Sequence, residues 1–414
     1  MARTVIVGAS VGGVRTAQAL RAEGYRGEIV LVGEEEVAPY DKPPLSKALL
    51  AGTATAKSIG MLPERAAIDA GIRCQRGRAA TAVSLRERRV QLADGTAIEF
   101  DDLVVATGAR ARTSPWGNPP GVHVLRTLAD AEELGAALRQ GGPLVVIGAG
   151  FIGAEVASTA VGLGVREVTM VDPVEVPLSR VLSPGVASQV AALHERHGVT
   201  TRFGVGVTDV VPRSGGLEVR LADGSTLQAA TVVVGIGAVP NDDWLDGSGI
   251  TTDDGVVCDQ FSRSVDDPHV WAVGDVARWW HVRQQRSVRV EHWTNAVQQA
   301  ECVAHNIVHP ADLRSHAPVE YVWSDQYDWK LHVVGCTDGD QQHVLVGGGA
   351  PERSFAVLYA AADGSFTGAV IVNWPKALVT CRRSLALGRV PLAQVRADVE
   401  ALQPKSHGVR GAAR

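Results

Sequence analysis

Blocks of apolar and polar residues recur along the chain and predict its main elements. The first block opens with a β-branched run at residues 4–8, which enters a glycine-rich turn. Apolar residues at helical spacing follow as far as Glu23, and a second apolar run at residues 29–33 ends at Glu34. This order predicts a strand, a tight turn, an amphipathic helix that ends at Gly24, and a second strand.

The same block returns in the middle of the chain. Its apolar run, predicted helix, second strand and final carboxylate lie at residues 144–148, 154–163, 167–171 and Asp172. Each copy is followed by a predicted hairpin that turns on Asp-Gly, at residues 94–95 and at 223–224. Each hairpin leads into an apolar strand with a glycine exit, so the sequence predicts two structurally equivalent units.

The two glycine turns have the pattern of a dinucleotide-binding motif. Glycine lets the backbone approach a pyrophosphate, the following helix offers free N–H groups, and a carboxylate about 20 residues later accepts from a ribose hydroxyl. The motif residues are Gly8, Ser10, Gly12, Gly13 and Glu34 in the first copy, and Gly148, Gly150, Phe151, Ile152, Gly153 and Asp172 in the second. Two copies predict two dinucleotides. The alternative is that either turn is only a tight connection between strand and helix.

Two departures within the motifs affect the prediction. Ser10 replaces the middle glycine of the first turn, which requires a negative φ and lets its hydroxyl meet a phosphate. Asp172 is followed by proline and valine and not by arginine. A carboxylate accepts from a free ribose 2′-hydroxyl and repels a 2′-phosphate, so the second site is expected to prefer NADH to NADPH.

Composition and charge narrow the class of protein. The 414 residues carry a net charge of −5, which does not favour nucleic acid as a partner. Glycine makes up 45 of the 414 residues, about 11% against a usual 7% or so, as expected for many tight turns. The most apolar stretch, residues 143–165, contains Glu155 and five glycines, so no membrane span is predicted. The N-terminus does not resemble a signal peptide, and a cytoplasmic protein is expected.

Cysteines and histidines do not indicate a metal or dithiol centre. The five cysteines lie more than thirty residues apart, without a CxxC or CxxxxC pair. The pairs His194/His197 and His305/His309 have helical spacing but lack the glutamate of an HExxH motif. We therefore predict solvated helix surface at these histidines and no metal site.

Several motifs together resemble a known family. The paired turns occur with Ala106-Thr107-Gly108 and Gly274-Asp275, as in the FAD-dependent pyridine-nucleotide oxidoreductases. The segment from Asp41 to Lys47, DKPPLSK, resembles the D/E-R-P-P-L-S-K sequence of the NADH-dependent ferredoxin reductases of dioxygenase and haem-thiolate monooxygenase systems, the putidaredoxin-reductase-like group. Further matching segments extend the resemblance over residues 4–388: they are residues 125–127, 291–295 and 323–327.

The resemblance implies an α/β fold with two Rossmann-like, three-layer dinucleotide-binding domains of the glutathione-reductase type and a C-terminal α+β domain with an antiparallel sheet. The expected domains are an FAD domain at 1–115 and 245–314, an NADH domain at 116–244, the C-terminal domain at 315–402 and a polar, disordered tail at 403–414. The pattern of the C-terminal part predicts strands at 320–323, 331–334, 343–346, 355–360 and 366–372, and helices at 375–388 and 392–402.

The resemblance also implies a role for each residue that matches a motif. On the FAD side, the first turn would hold the pyrophosphate, Glu34 the ribose, and Lys42 and Lys47 would lie behind and beside the isoalloxazine ring. On the NADH side, the second turn would hold the pyrophosphate, Asp172 the ribose and Glu155 the nicotinamide amide. The other residues implied to contact a cofactor are Ala80, Ala106, Thr107, Gly108, Arg126, Gly237, Gly274, Asp275, Glu291, His292, Trp293 and Trp323.

The implied activity is electron transfer from NADH through FAD to a two-iron ferredoxin, which would supply a monooxygenase or dioxygenase. Lys47 and Glu155 are the predicted catalytic residues: the lysine would stabilise charge on the reduced flavin and the glutamate would orient the nicotinamide. Only six lysines occur among 40 basic residues, and two of them are Lys42 and Lys47, which favours a site for compact charges independently of the family.

Two alternatives stay open from the sequence. The first is an NADH oxidase or quinone reductase that works without ferredoxin, and the second is a flavoprotein whose redox state switches an interaction. No cysteine precedes Cys74, which argues against the disulfide-reductase branch. Arginines at 283, 286 and 289 and at 382 and 383 are candidates for steering an acidic partner, or are ordinary solvated arginines. A monomer or a homodimer is expected.

Overall fold

The computed structural model describes residues 2–179, 181–337, 342–347 and 354–402. The predicted tail at 403–414 lies outside the described residues. The α-helices are α1 (Val11–Ala22), α2 (Glu64–Asp69), α3 (Leu128–Gln140), α4 (Phe151–Gly162), α5 (Pro184–Arg196), α6 (Trp293–Val308), α7 (Pro375–Leu387) and α8 (Leu392–Glu400). Short 3₁₀ helices occupy Pro43–Ser46, Asp243–Leu245 and Gly274–Val276.

The strands are, in chain order, β1 (Arg3–Val7), β2 (Glu28–Val32), β3 (Ile72–Gln75), β4 (Ala80–Ser84), β5 (Arg89–Leu92), β6 (Ala97–Glu99), β7 (Asp102–Val105), β8 (Ala109–Ala111), β9 (Val122–His123), β10 (Leu144–Ile147), β11 (Val168–Asp172), β12 (Thr200–Phe203), β13 (Val207–Arg213), β14 (Gly216–Leu221), β15 (Thr226–Ala229), β16 (Thr231–Val234), β17 (Ala238–Pro240), β18 (Val256–Cys258), β19 (Val270–Ala272), β20 (Ala277–His281), β21 (Arg286–Arg289), β22 (Tyr321–Gln326), β23 (Trp329–Gly335), β24 (Gln342–Gly347), β25 (Phe355–Ala360) and β26 (Phe366–Val372).

The chain divides into two compact units. The first unit comprises Met1–Asn118, Val122–Gln140 and Val234–Pro318, and the second comprises Pro119–Gly121, Gly141–Val233 and Val319–Arg414. The second unit thus contains the second glycine turn together with the C-terminal sheet. The finer division into FAD, NADH and C-terminal domains stays a prediction.

A parallel five-stranded sheet forms the centre of the first unit, in the order β19-β7-β1-β2-β3. Strands β1, β2, β7 and β19 are buried along nearly their whole length, which explains their continuous apolar runs, whereas the edge strand β3 is only partly buried. Val5 faces a core that includes the β4–β6 hairpin sheet, whereas Ile6 faces a core formed with α1 and α6. The β1–turn–α1–β2 order predicted for the first copy is confirmed.

In the second unit, β10, β11 and β12 pair in parallel, and β13, β14 and β15 form an antiparallel sheet. The C-terminal antiparallel sheet has the order β22-β23-β26-β25-β24. One face of that sheet packs against α5 and the other against α7 and α8. The predicted antiparallel C-terminal sheet with short helices is confirmed, with boundaries that shift by one to three residues at several ends.

The prediction for the paired histidines is wrong in part. His194 and His305 are buried, with 2% and 4% of their surface exposed, and only their partners on the following turn reach the surface. Burial lowers the pKa of His194 to about 4, and its Nδ1 lies 2.9 Å from the Tyr327 hydroxyl. Among the described residues, no helix is both long enough and apolar enough to cross a membrane.

Candidate functional site

The two glycine turns have nearly the same backbone geometry. Gly8 and Gly148 adopt φ values of +115° and +98°, which L side chains rarely adopt. A Cβ atom on Gly13 would lie 1.8 Å from the Gly8 carbonyl oxygen, and one on Gly153 would lie 2.0 Å from that of Gly148. Each helix therefore begins in direct contact with its own turn, and only glycine fits at the third position of either motif.

The middle position of each turn faces open space or carries a small hydroxyl. Gly150 has φ −71°, and a Cβ atom there would meet nothing within 4 Å. Ser10 occupies the same place in the first turn. Its φ of −100° is negative, so a serine fits there without backbone strain, as predicted. Neither residue caps its helix through a side chain within the described part of the chain. The N-terminal N–H groups of α1 and α4 thus fit an anionic group such as a pyrophosphate.

The carboxylates at the ends of the second strands have different surroundings. Asp172 accepts hydrogen bonds from the backbone N–H groups of Ala149 and Val174, both at 2.8 Å. Asp172 is therefore held beside the second glycine turn. In the first copy Glu34 is exposed, while the next residue, Glu35, accepts a hydrogen bond of 2.7 Å from the Tyr40 hydroxyl.

Two lysines flank the short helix Pro43–Ser46: Lys42 caps its N-terminus and Lys47 its C-terminus. The Lys42 ammonium lies 3.3 Å from the Arg126 carbonyl oxygen and 4.9 Å from the centre of the Tyr40 ring. Burial lowers the pKa of Lys42, and the Arg126 guanidinium lowers it further. The Lys47 ammonium donates to the Pro43 carbonyl at 3.3 Å. The segment thus places two compact positive charges at the ends of a proline-stiffened turn.

Arg126 and Asp275 form an ion pair across 149 residues of sequence. An Arg126 guanidinium nitrogen lies 2.9 Å from Asp275 Oδ2, and the side chains are 31% and 18% exposed. Asp130 accepts from the backbone N–H of Arg126 at 2.9 Å, which positions the arginine. Asp275 lies inside the 3₁₀ helix Gly274–Val276, whose N-cap is Val273. The carboxylate is therefore partnered by a side chain and is not a helix cap.

The start of α6 contributes an aromatic and a histidine to the first unit. Trp293 donates from its indole N–H to Asp41 Oδ1 at 2.7 Å, which joins α6 to the DKPPLSK segment. His292 precedes the helix, and burial lowers its pKa to about 4. Its Nδ1 makes no hydrogen bond within the described residues. Glu291 accepts from Arg289 at 2.6 Å.

Glu155 is the most buried carboxylate among the predicted site residues. It lies on α4 with 2% of its surface exposed and accepts a hydrogen bond of 2.7 Å from the Ser324 hydroxyl. Ser324 is on β22, next to Trp323, which stacks near Tyr321 with ring centres 5.9 Å apart. Phe151, in the first turn of α4, packs on the same C-terminal sheet, while Ile152 is exposed.

The remaining predicted residues line strand ends. Ala80 begins β4, and Ala106, Thr107 and Gly108 follow β7. The Thr107 hydroxyl donates to the Asn241 carbonyl at 2.7 Å, and the Asn241 amide donates back to the Thr107 carbonyl at 3.0 Å. Gly237 accepts from the Arg112 backbone N–H, so it lies in the first unit and not with the second glycine turn.

Within the first unit the structure brings Lys42, Arg126 and Asp275 together, and it joins Trp293 to Asp41. Five residues that hold predicted site residues were not themselves predicted from the sequence: they are Glu35, Tyr40, Asp130, Asn241 and Ser324. For Glu35 the signal was present but ambiguous, because three consecutive glutamates follow β2. Asn241 and Ser324 lie 134 and 169 residues from their partners, whereas Tyr40 and Asp130 lie five and four residues from theirs but belong to no recognisable motif.

All five cysteines, each within the described residues, are free thiols. Burial raises the pKa of Cys302 to about 11 and that of Cys381 to about 12. The thiolate is the reactive form, so these buried cysteines are poor nucleophiles.

Two glycine turns, each with a strand before it, a helix after it and a carboxylate at the next strand end, define a protein with two dinucleotide-binding units. Residues 2–300 match the family described as pyridine nucleotide-disulphide oxidoreductase, and residues 321–402 match the family described as reductase C-terminal. The chain belongs to the pyridine nucleotide-disulphide oxidoreductase family, which confirms the predicted fold class and the prediction of an oxidoreductase. Membership implies a nicotinamide nucleotide as a cofactor.

Similar proteins place the chain more narrowly within that family. It is 36% identical to rhodocoxin reductase of Rhodococcus erythropolis, over 92% of this chain and 89% of the relative. It is 37% identical to putidaredoxin reductase of Pseudomonas putida, over 87% and 86%. The crystal structure of a ferredoxin reductase for the CYP199A2 system from Rhodopseudomonas palustris matches 96% of this chain and 97% of that chain, with 35% identity and a TM-score of 0.90. The predicted resemblance to the ferredoxin reductases is confirmed.

Proposed function

We propose that this oxidoreductase takes electrons from NADH on a bound FAD and passes them to a two-iron ferredoxin, which supplies a monooxygenase or dioxygenase. The observation that carries the proposal is the repeated glycine turn, with one open cradle in each unit. When bound, the flavin accepts an electron pair from NADH and returns the electrons singly. Residues 1–115 and 245–314 would form the FAD domain, 116–244 the NADH domain, and 315–402 the C-terminal domain.

The first unit supports FAD binding through groups that complement an anionic, aromatic cofactor. The uncapped N-terminus of α1 would bind the pyrophosphate. Arg126 neutralises Asp275, so the carboxylate can accept from a ribityl hydroxyl without repelling the phosphates. Lys42 and Lys47 would provide positive charge near the ring, and Trp293, held by Asp41, would exclude water from it.

The second unit supports NADH binding through Asp172. Two backbone N–H groups hold the carboxylate, and its remaining lone pairs can accept from a ribose 2′-hydroxyl. A 2′-phosphate at the same place would meet a negative charge. Glu155, near the start of α4, accepts a hydrogen bond from Ser324. This bond fixes the orientation of the carboxylate, which could in turn orient a nicotinamide amide.

Replacing Asp172 with alanine is expected to lower kcat/KM for NADH by roughly 10- to 100-fold, the effect of losing a hydrogen bond to a charged group. The loss with NADPH should be smaller, because the substitution also removes the repulsion of the 2′-phosphate. Steady-state kinetics with both nucleotides measure the ratio. Asp223→Ala is the matched control: Asp223 also accepts from a backbone N–H, that of Ser225 at 2.9 Å, but lies in a hairpin turn. Equal losses with both nucleotides would contradict the ribose role.

The raised pKa values of Cys302 and Cys381 make these two thiols poor carriers for the electrons. Electrons would therefore leave at the flavin edge towards an external acceptor. Of the arginines considered for docking, Arg289 is held by Asp254 at 3.1 Å and by Glu291 at 2.6 Å, so its charge is neutralised. Arg382 and Arg383 are exposed on α7, and Arg382 lies 4.9 Å from the centre of the Tyr321 ring. These two, together with the exposed Arg283 and Arg286, stay candidates for an acidic partner.

Cytochrome c reduction by NADH, with and without added two-iron ferredoxin, tests the proposal. We expect a slow rate with the enzyme alone and a severalfold increase when ferredoxin is added. An unchanged rate would overturn the proposal. Oxygen uptake and quinone reduction, measured in parallel, would then identify the alternative acceptor.

A further inference from the structure

Three side chains that could bind a metal meet where two helices of the first unit end. Glu23 is the C-cap of α1, His305 lies in the last turn of α6, and His309 is the C-cap of α6. Glu23 Oε2 is 3.1 Å from His309 Nε2 and 3.5 Å from His305 Nδ1. One ligand atom from each of the three residues lies within 4.8 Å of the others. The histidines are four residues apart and so share one face of α6.

The protonation of His305 follows from its second hydrogen bond. Nε2 lies 2.9 Å from the Asp312 backbone carbonyl oxygen, which can only accept, so Nε2 carries a proton. In the neutral ring, Nδ1 then bears a lone pair that points towards the Glu23 carboxylate. The His305 side chain is only 5% exposed, and its Nδ1 makes no hydrogen bond to any described residue. With Nε2 used as the donor to Asp312, Nδ1 is placed to act as a ligand, and a cation between it and the Glu23 carboxylate would satisfy both groups.

The surroundings complement a cation in two further respects. Metal-binding histidines usually donate their other ring N–H to a carbonyl or carboxylate, which is the bond that His305 makes to Asp312. The cluster also lies at the C-terminal ends of α1 and α6, where the helix dipoles favour positive charge. Glu23 and His309 are partly exposed, which leaves a path for an ion and a position for water.

We propose that Glu23, His305 and His309 form a binding site for a divalent transition-metal ion, with Zn²⁺ as the best match. Two imidazoles and a carboxylate are ligands that Zn²⁺ prefers, with the fourth position left for water. Donor atoms about 2.0 Å from a tetrahedral ion are separated by about 3.3 Å. The distances of 3.1 and 3.5 Å from Glu23 lie on either side of that value.

The role of the site is structural. Helix α1 begins at the first glycine turn and α6 begins at Trp293, and the two helices pack in one core. The three proposed ligands would add a polar link between the C-terminal ends of the two helices. At 1.5 Å per residue, α1 separates the ion from the glycine turn by about 18 Å, so the ion would stabilise the first unit without taking part in electron transfer.

The test is Zn²⁺ binding to the tag-free, full-length flavoprotein after treatment with a chelator. Calorimetric titration should give one ion per chain, and Zn²⁺ should raise the Tm of the protein. His309→Ala and Glu23→Gln should each weaken binding at least about 10-fold, by removing a ligand from an exposed position where folding is not at risk. His269→Ala is the matched control, because His269 is also exposed and paired with a carboxylate, that of Asp102.

Cobalt provides a second readout. Co²⁺ bound to the native protein should give visible absorption bands of a four-coordinate site, and these bands should disappear in His309→Ala. Native protein that binds no Zn²⁺, or that binds it equally well after His309→Ala, would overturn the proposal.

Discussion

Replacing Gly153 with alanine is expected to give a chain that retains its flavin but is hardly reduced by NADH. The added Cβ would lie 2.0 Å from the Gly148 carbonyl oxygen and 3.2 Å from a Val146 methyl group. Since backbone atoms must move to relieve this overlap, the start of α4 is displaced from its turn. A displacement of about 1 Å at a reacting pair can lower a rate about 100-fold, so kcat/KM for NADH should fall by at least that factor.

The equivalent change in the first unit should affect the flavin and not the nicotinamide nucleotide. A Cβ on Gly13 would lie 1.8 Å from the Gly8 carbonyl oxygen, and Gly13→Ala is expected to yield protein without visible flavin absorbance. Gly162→Ala and Gly185→Ala are matched controls, because a Cβ at either helical position meets nothing within 4 Å. Flavin content and NADH kinetics of the four variants separate the two sites. Loss of flavin in Gly153→Ala at an unchanged Tm would contradict the assignment of one nucleotide to each turn.

The second large effect is expected at the ion pair between Arg126 and Asp275. Arg126→Gln leaves the Asp275 carboxylate, 18% exposed, without its cationic partner and beside the proposed site of an anionic cofactor. We expect the FAD dissociation constant to rise by roughly 10- to 100-fold, as when a hydrogen bond to a charged group is broken. Flavin fluorescence during dialysis or titration of the apoprotein measures this constant.

A double variant separates charge from packing. In Arg126→Gln/Asp275→Asn the unpaired carboxylate is gone, so FAD should bind more tightly than to Arg126→Gln alone. Arg110→Gln is the control, because Arg110 also pairs with an aspartate, Asp243 at 2.8 Å, but both side chains are exposed. Additive losses in the double variant would show that each residue acts alone and that the pair has no joint role.

Features that depend on local sequence could be predicted. The strand, glycine turn and helix of each copy, the Asp-Gly hairpins and the C-terminal strands all follow from periodicity and turn chemistry within short windows. These local features, together with the matching motifs, were enough to predict the fold class and the family. Even the negative φ of Ser10, required for a serine at that position, is found in the structure.

Features that depend on distant pairs could not be predicted. Arg126 and Asp275 are 149 residues apart, Thr107 and Asn241 are 134 apart, and Glu155 and Ser324 are 169 apart. No periodicity links such residues, because their proximity results from how whole strands and helices pack. The histidine prediction failed for the same reason: the buried His194 lies against Tyr327, which follows it by 133 residues.

The bond between Glu155 and Ser324 limits how this chain can be recombined. It joins the N-terminal part of α4 to the C-terminal sheet inside one compact unit, with both side chains buried. A C-terminal segment borrowed from another reductase would have to bring a hydroxyl to position 324, or the buried Glu155 carboxylate would lose this hydrogen bond. Helix α4 and the C-terminal sheet are therefore separate in sequence, but they would have to be exchanged together in a chimaeric protein.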